Sequence, residues 1–163
     1  MDGPQIRLKL VLDLLGLSSN VSTLQNRIRI QKAIFLAKYS GVDLGYSYNW
    51  YVHGPYSPEL TSDYYDMDND ISHGDSDYKN YELTPTLVSS LEKVKQIIEM
   101  PSGVDLTKTE WMELLSSIIY WINSTTDESK TKTILAKQKS GLCENSNYDI
   151  ALKMLKENNF LPS

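Results

Sequence analysis

The sequence predicts a mostly helical α+β domain of about six to seven helices with a small β hairpin or wing. Three observations predict it: apolar residues recur at helical spacing along most of the chain, one short stretch alternates with period two, and capping residues followed by proline mark several boundaries. At 163 residues, 40% of them apolar and 10% aromatic, the chain suits one compact domain with one core, spanning 1–163.

The first helix is expected over Ile6 to Leu17, with Leu10, Val11, Leu14 and Leu15 on one face and Gly16 and Ser18-Ser19-Asn20 ending it. A second runs from Ser22 to Tyr39. Ile30, Ala33, Ile34 and Ala37 form its stripe, and Ile28 and Phe35 widen it, so this helix is expected to be the central, most buried one. Gly41 is a suitable stop.

From Gly45 the period changes. Tyr46, Tyr48, Trp50 and Val52 alternate with Ser47, Asn49 and Tyr51, the pattern of a strand in β-favouring residues. The segment His53-Gly54-Pro55 is expected to break that strand, with Gly54 and Pro55 supplying a tight turn. Ser57-Pro58-Glu59 then reads as N-cap, first-turn proline and acidic first turn of a helix reaching Tyr65 or Met67.

Asp66 to Asn80 is polar and acidic and is expected to be a loop, and Tyr81-Glu82-Leu83 a short strand. Thr84-Pro85 caps the next helix, whose face is Leu87, Leu91, Val94 and Ile98; Met100-Pro101-Ser102-Gly103 ends it. Thr107 and Glu110 have capping-box spacing, and Trp111, Leu114, Leu115, Ile118, Ile119 and Ile122 follow at helical intervals. Two weaker helices are expected near Ser129–Lys139 and Asn147–Asn158.

Composition narrows the class. Cys143 is the single cysteine, which removes an intrachain disulfide and a thiolate zinc cage. No apolar run approaches the ~18–20 residues of a membrane span, and the N-terminal segment lacks the continuous apolar region of a signal peptide. A cytoplasmic protein without a membrane role is therefore expected. The net charge of −5 is uneven: residues 1–38 hold six Lys/Arg against two acids, whereas 39–78 hold eight acids and no Lys/Arg.

Four constellations invite chemistry. His53 and Ser57 beside a glycine turn suggest nucleophilic catalysis, but Ser57 is better explained as a helix cap, so no catalytic residue is assigned. Asp66, Asp68, Asp70, Ser72, Gly74 and Asp77 have EF-hand spacing. Yet Ile71 stands where that loop needs glycine, and Asp77 replaces the bidentate glutamate, so no metal or other cofactor is expected. Arg27, Arg29 and Lys32 could contact nucleic acid, although their helix is too apolar around its circumference to lie in a groove. The aromatics Tyr46, Tyr48, Trp50, Tyr51, Tyr56, Tyr64 and Tyr65 lie close together, on both faces of the expected strand. Partly exposed tyrosines are favoured contact residues.

Gln31-Lys32-Ala33-Ile34-Phe35-Leu36-Ala37, followed by Trp50-Tyr51-Val52-His53-Gly54-Pro55-Tyr56-Ser57-Pro58-Glu59-Leu60, resembles the SocA-like antitoxin-associated domain, also called Panacea. It is also similar to the YwgA-type bacterial proteins. The resemblance covers about Leu24 to Met67, with Gln31 and Lys32 matching the helix motif and Gly54 and Pro55 the turn. It assigns His53 no role. What it implies is an antitoxin acting by contact, a proteolytic adaptor or an accessory protein of bacterial phage defence.

The expectation is thus a non-catalytic module that binds a protein partner, a toxin or defence effector. Trp50, Tyr51, His53 and Tyr56, with Asp66, Asp68, Asp70 and Asp77, are the expected contact residues, and Gly54, Pro55 and Ser57 the structural turn. The alternative is a winged-helix-like DNA-binding regulator using Arg27, Arg29 and Lys32.

Overall fold

A computed structural model describes residues 1–162. Helix α1 (Gly3–Leu15) opens on a capping box between Asp2 and Gln5 and closes on Gly16 in the left-handed conformation. Helix α2 (Leu24–Tyr39) is capped by Thr23, whose side chain accepts from the Asn26 N–H. Ile30, Ala33, Ile34, Phe35, Leu36 and Ala37 of α2 are all buried. A helix apolar on so many sides must be covered on many sides, and α2 packs on α4, α5 and the hairpin described next.

Strands β1 (Asn49–Tyr51) and β2 (Gly54–Tyr56) form an antiparallel hairpin in which Tyr51 pairs with Gly54 and Trp50 with Pro55. Helices α3 (Pro58–Ser72), α4 (Pro85–Ile98), α5 (Lys108–Thr125), α6 (Glu128–Gln138) and α7 (Asn147–Glu157) complete the chain, with a 3-10 turn at Asp77–Asn80. The mostly helical class with a small hairpin is therefore observed. Helix α1 packs on α3 and α4, whereas α6 and α7 pack on α5. Trp111, fully buried on α5, ties α5 to α4 by donating from Nε1 to the Ile97 carbonyl at 2.8 Å. One hydrophobic cluster runs from Leu8 to Leu161.

Four sequence expectations are corrected. The strand is shorter than Tyr46–Val52, because Tyr46 is buried and donates its hydroxyl to Asp63 at 2.6 Å, and Tyr48 packs edge-on to Phe35 at 5.0 Å. Gly54 and Pro55 do not form the turn: Val52 and His53 do, and Gly54 begins the return strand. Proline is tolerated there because a two-stranded ribbon leaves the outer side of each strand unladdered.

The expected acidic loop is helix as far as Ser72. Leu60, Tyr64, Met67 and Ile71 keep an i, i+4, i+7, i+11 apolar face through the acidic stretch, and Leu60, Tyr64 and Met67 are buried. Asp66, Asp68 and Asp70 therefore ride on a helix and do not line an EF-hand loop. Tyr81–Leu83 forms no strand and leads from the 3-10 turn to the Thr84 cap. Among the described residues, no helix is long and apolar enough to cross a membrane.

Candidate functional site

The two motifs that lie apart in sequence meet in space. Gln31 accepts from the Ser57 N–H at 2.9 Å through Oε1, and donates through Nε2 to the Ser57 carbonyl at 3.0 Å and to Thr61 Oγ1 at 3.0 Å. Lys32, from the next position on α2, donates from Nζ to the Pro55 carbonyl at 2.6 Å. Successive residues of one helix thus hold the strand and cap that follow the hairpin turn. Both side chains are buried, so each polar bond formed replaces one that water would otherwise have made.

Gly54 makes that approach feasible. Its φ is +91°, a region costly for other residues, and a Cβ there would lie 2.9 Å from Ser117 Oγ and 3.6 Å from Lys32 Nζ. Burial pushes the Lys32 ammonium down to about 7, with Glu113 opposing the shift and Lys139 reinforcing it. Glu113 in turn sits 3.5 Å from His53 Nδ1 and 3.5 Å from Lys139 Nζ. Lys139 also donates to the Val52 carbonyl at the hairpin tip.

Above this clasp lies an open groove of about 320 Å³, walled by the first turns of α2, the hairpin and α3. Tyr51 and Tyr56 meet edge to face at 4.9 Å, and Tyr64 and Tyr65 are tilted at 5.0 Å. Tyr56 also receives the Thr61 hydroxyl at 2.6 Å. The rim exposes large apolar side chains: Leu24 is 50% exposed, Tyr51 48%, Val52 79% and Tyr65 46%. Concave sites with apolar walls and a few converging polar groups are where ligands and anchor residues bind.

Of the expected contact residues, Tyr51, His53 and Tyr56 line this groove. Trp50 does not: it packs on the opposite face of the hairpin against Tyr120 at 5.5 Å and Trp121 at 5.2 Å, under the Lys139 ammonium. Helical geometry also divides the acids. Asp68 follows Thr61, Tyr64 and Tyr65 at i+7, i+4 and i+3, on the groove side of α3. Asp66 and Asp70 fall with Glu59 and Asp63 on the opposite side. Asp77 lies 3.4 Å from the Met1 amino group in the 3-10 turn. The expected surface of aromatics plus all four acids is therefore not continuous.

The basic trio separates too. Lys32 is buried, Arg29 donates from Nε to Thr109 Oγ1 at 2.8 Å, and Arg27 donates from Nη1 to the Val21 carbonyl at 2.9 Å while lining the groove. They do not share an exposed basic face. Ser57 is the α3 cap, accepting from the Leu60 N–H at 3.3 Å, with its hydroxyl donated to Glu59. Sequence reasoning missed Leu24 and Val52 as rim residues and Glu113 and Lys139 as neighbours of the clasp. The latter two come from distant helices and carry no local signal.

Comparison with known proteins bears on the whole chain. It is 28% identical over 157 residues to the protein named Uncharacterized protein YwgA of Bacillus subtilis (strain 168), covering 88% of this chain and 93% of that protein. No family model matches the chain, and no solved structure matches it. The YwgA likeness extends well beyond Leu24–Met67, the stretch that carries the two motifs, and so takes in helices outside the clasp.

Proposed function

We propose that this YwgA-like protein is a non-catalytic protein-interaction module of the SocA-like, or Panacea, kind, serving a bacterial toxin–antitoxin or phage-defence system in the cytoplasm. The observation that carries the reading is the groove with its exposed rim of Leu24, Tyr51, Val52 and Tyr65. Rigid aromatic anchors beside a recess concentrate binding energy. The motif residues fit a scaffold role. Gln31, Lys32 and Ser57 each spend their polar groups on holding the hairpin and the α3 cap.

The test is capture of the product of the adjacent gene by the purified protein, compared with Tyr51→Ala and Tyr65→Ala variants of unchanged thermal midpoint. Loss of capture in both variants supports the reading. Undiminished binding, or no binding by the unaltered protein, removes it.

A further inference from the structure

The groove has an unusual charge for this chain. Of the 163 residues, 21 are Asp or Glu and 16 are Lys or Arg, and the hairpin and α3 come from the stretch with eight acids and no Lys or Arg. Yet Arg27 and His53 line the groove with buried Lys32 beneath them, and the carboxylate nearest to these groups, Glu113 of α5, sits 3.5 Å from His53 Nδ1 outside the lining, so Arg27 is the cation left to the groove. The acids of α3 are held off: Glu59, Asp63, Asp66 and Asp70 by facing the other side of the helix, and Asp68 by lying a turn beyond Tyr64. An acidic protein has left one recess that combines nitrogen bases with tyrosine rings.

We propose that this groove captures the free C-terminus of a partner polypeptide whose last residue is large and apolar. Its side chain would enter among Tyr51, Tyr56, Tyr64 and Tyr65, and its carboxylate would face Arg27. The proposal rests on the interaction reading above and names the part of the partner that anchors it. About 320 Å³ is small, at the lower end of the ~300–1,000 Å³ typical of ligand pockets, and suits roughly one or two side chains. A C-terminal residue brings an apolar body and an anion on a single α-carbon. An internal Asp or Glu would need a second residue to supply the apolar body. A free amino acid would also bring an ammonium group, for which the lining offers no carboxylate.

The polar side is equipped for the task. Nη1 of Arg27 holds the Val21 carbonyl at 2.9 Å, which orients a guanidinium with five N–H donors and leaves others for a carboxylate fork. Lys32 Nζ lies behind the bare backbone of Gly54, bonded to the Pro55 carbonyl beneath the floor, and does not reach the ligand space.

The experiment is selection from a display library of short random peptides with free C-termini against the full-length protein. Hits are then synthesised as free acids and as C-terminal amides and titrated calorimetrically. The expected hits end in a large apolar residue, lose at least tenfold affinity on amidation and lose a similar factor against Arg27→Gln. Because amidation leaves the protein unaltered, a folding defect in Arg27→Gln does not blunt the test. A library that enriches nothing, hits that bind through internal residues, or acids and amides of equal affinity overturn the C-terminal assignment. The interaction reading then stands or falls on the adjacent-gene capture. Peptide binding unchanged by Tyr51→Ala and Tyr65→Ala shows the groove is not the site, and overturns the assignment as well.

Discussion

Gln31 grips both backbone polar groups of Ser57, accepting from its N–H at 2.9 Å and donating to its carbonyl at 3.0 Å. This pairing couples the central helix to the strand-to-helix junction. Thr61 also serves the Ser57 carbonyl through its own N–H at 3.2 Å, so the Ser57 N–H is the group most exposed to loss of Gln31. Gln31→Leu is expected to destabilise the fold by about 2 kcal/mol, the cost of one buried donor left without a partner. Gln31→Glu keeps the acceptor but turns a carboxylate toward a carbonyl, and should not restore stability. Urea denaturation of both variants checks this, and Gln31→Leu at full stability would refute the pairing.

Gly54 and Ser117 form a steric pair. Gly54→Ala must accept a φ of +91° and a Cβ 2.9 Å from Ser117 Oγ. The expected loss is about 2–4 kcal/mol, of which backbone strain is ~1–3 kcal/mol. Ser117→Gly in the same chain removes the clash but not the strain. A double-mutant cycle should therefore show Gly54→Ala costing measurably less in the Ser117→Gly background, and equal costs would contradict the contact.

Lys32 makes stability depend on pH. Burial lowers its folded value to about 7 from an ordinary 10.5, against Glu113 and with Lys139. Between those values the unfolded chain binds more protons than the folded one, so stability rises with pH through this window. From pH 7 to 9 the gain should approach, and not exceed, about 1.4 kcal/mol per pH unit. Lys32→Met, which carries no titrating amine, should flatten the rise even though it orphans the Pro55 carbonyl. Denaturation midpoints at several pH values for both proteins test it.

The division of acids around α3 separates two otherwise similar substitutions. Asp68→Asn, on the groove side, should slow partner association severalfold at low salt and weaken its salt dependence, because a charge beside the site steers a basic surface flanking the anchor. Asp66→Asn and Asp70→Asn, on the other side of the helix, should leave both unchanged. Stopped-flow association rates across a salt series distinguish them, and equal effects of all three would rule out the groove as the docking face.

Features encoded within a few residues were readable in advance. The Thr107–Glu110 capping box, the Thr84-Pro85 start and the Ser57 cap all formed as their spacing indicates, since each is satisfied by a neighbour on the same turn. Helix α3 runs past its expected end at Tyr65 or Met67 because Met67 and Ile71 continue its apolar face among the dense Asp residues. Those apolar positions pack inward while the acids stay in water. The hairpin turn was displaced for a related reason: Gly54 and Pro55 have turn chemistry, but here they answer to Ser117 and Lys32.

By itself, then, the sequence determined the helical class, the central place of α2 and the capped starts of α3, α4 and α5, and it marked the Gln31-Lys32 and Gly54-Pro55 motifs as separate stretches. Only the tertiary structure decided that the two motifs pair. A carbonyl or a glycine Cα has no identity in a local pattern until a distant side chain arrives to bond it or crowd it. Gln31 at Ser57, Lys32 at Pro55 and Ser117 at Gly54 are such arrivals. The same assembly separated Trp50 and three of the four acids from the groove, because which face a side chain occupies depends on what its element packs against.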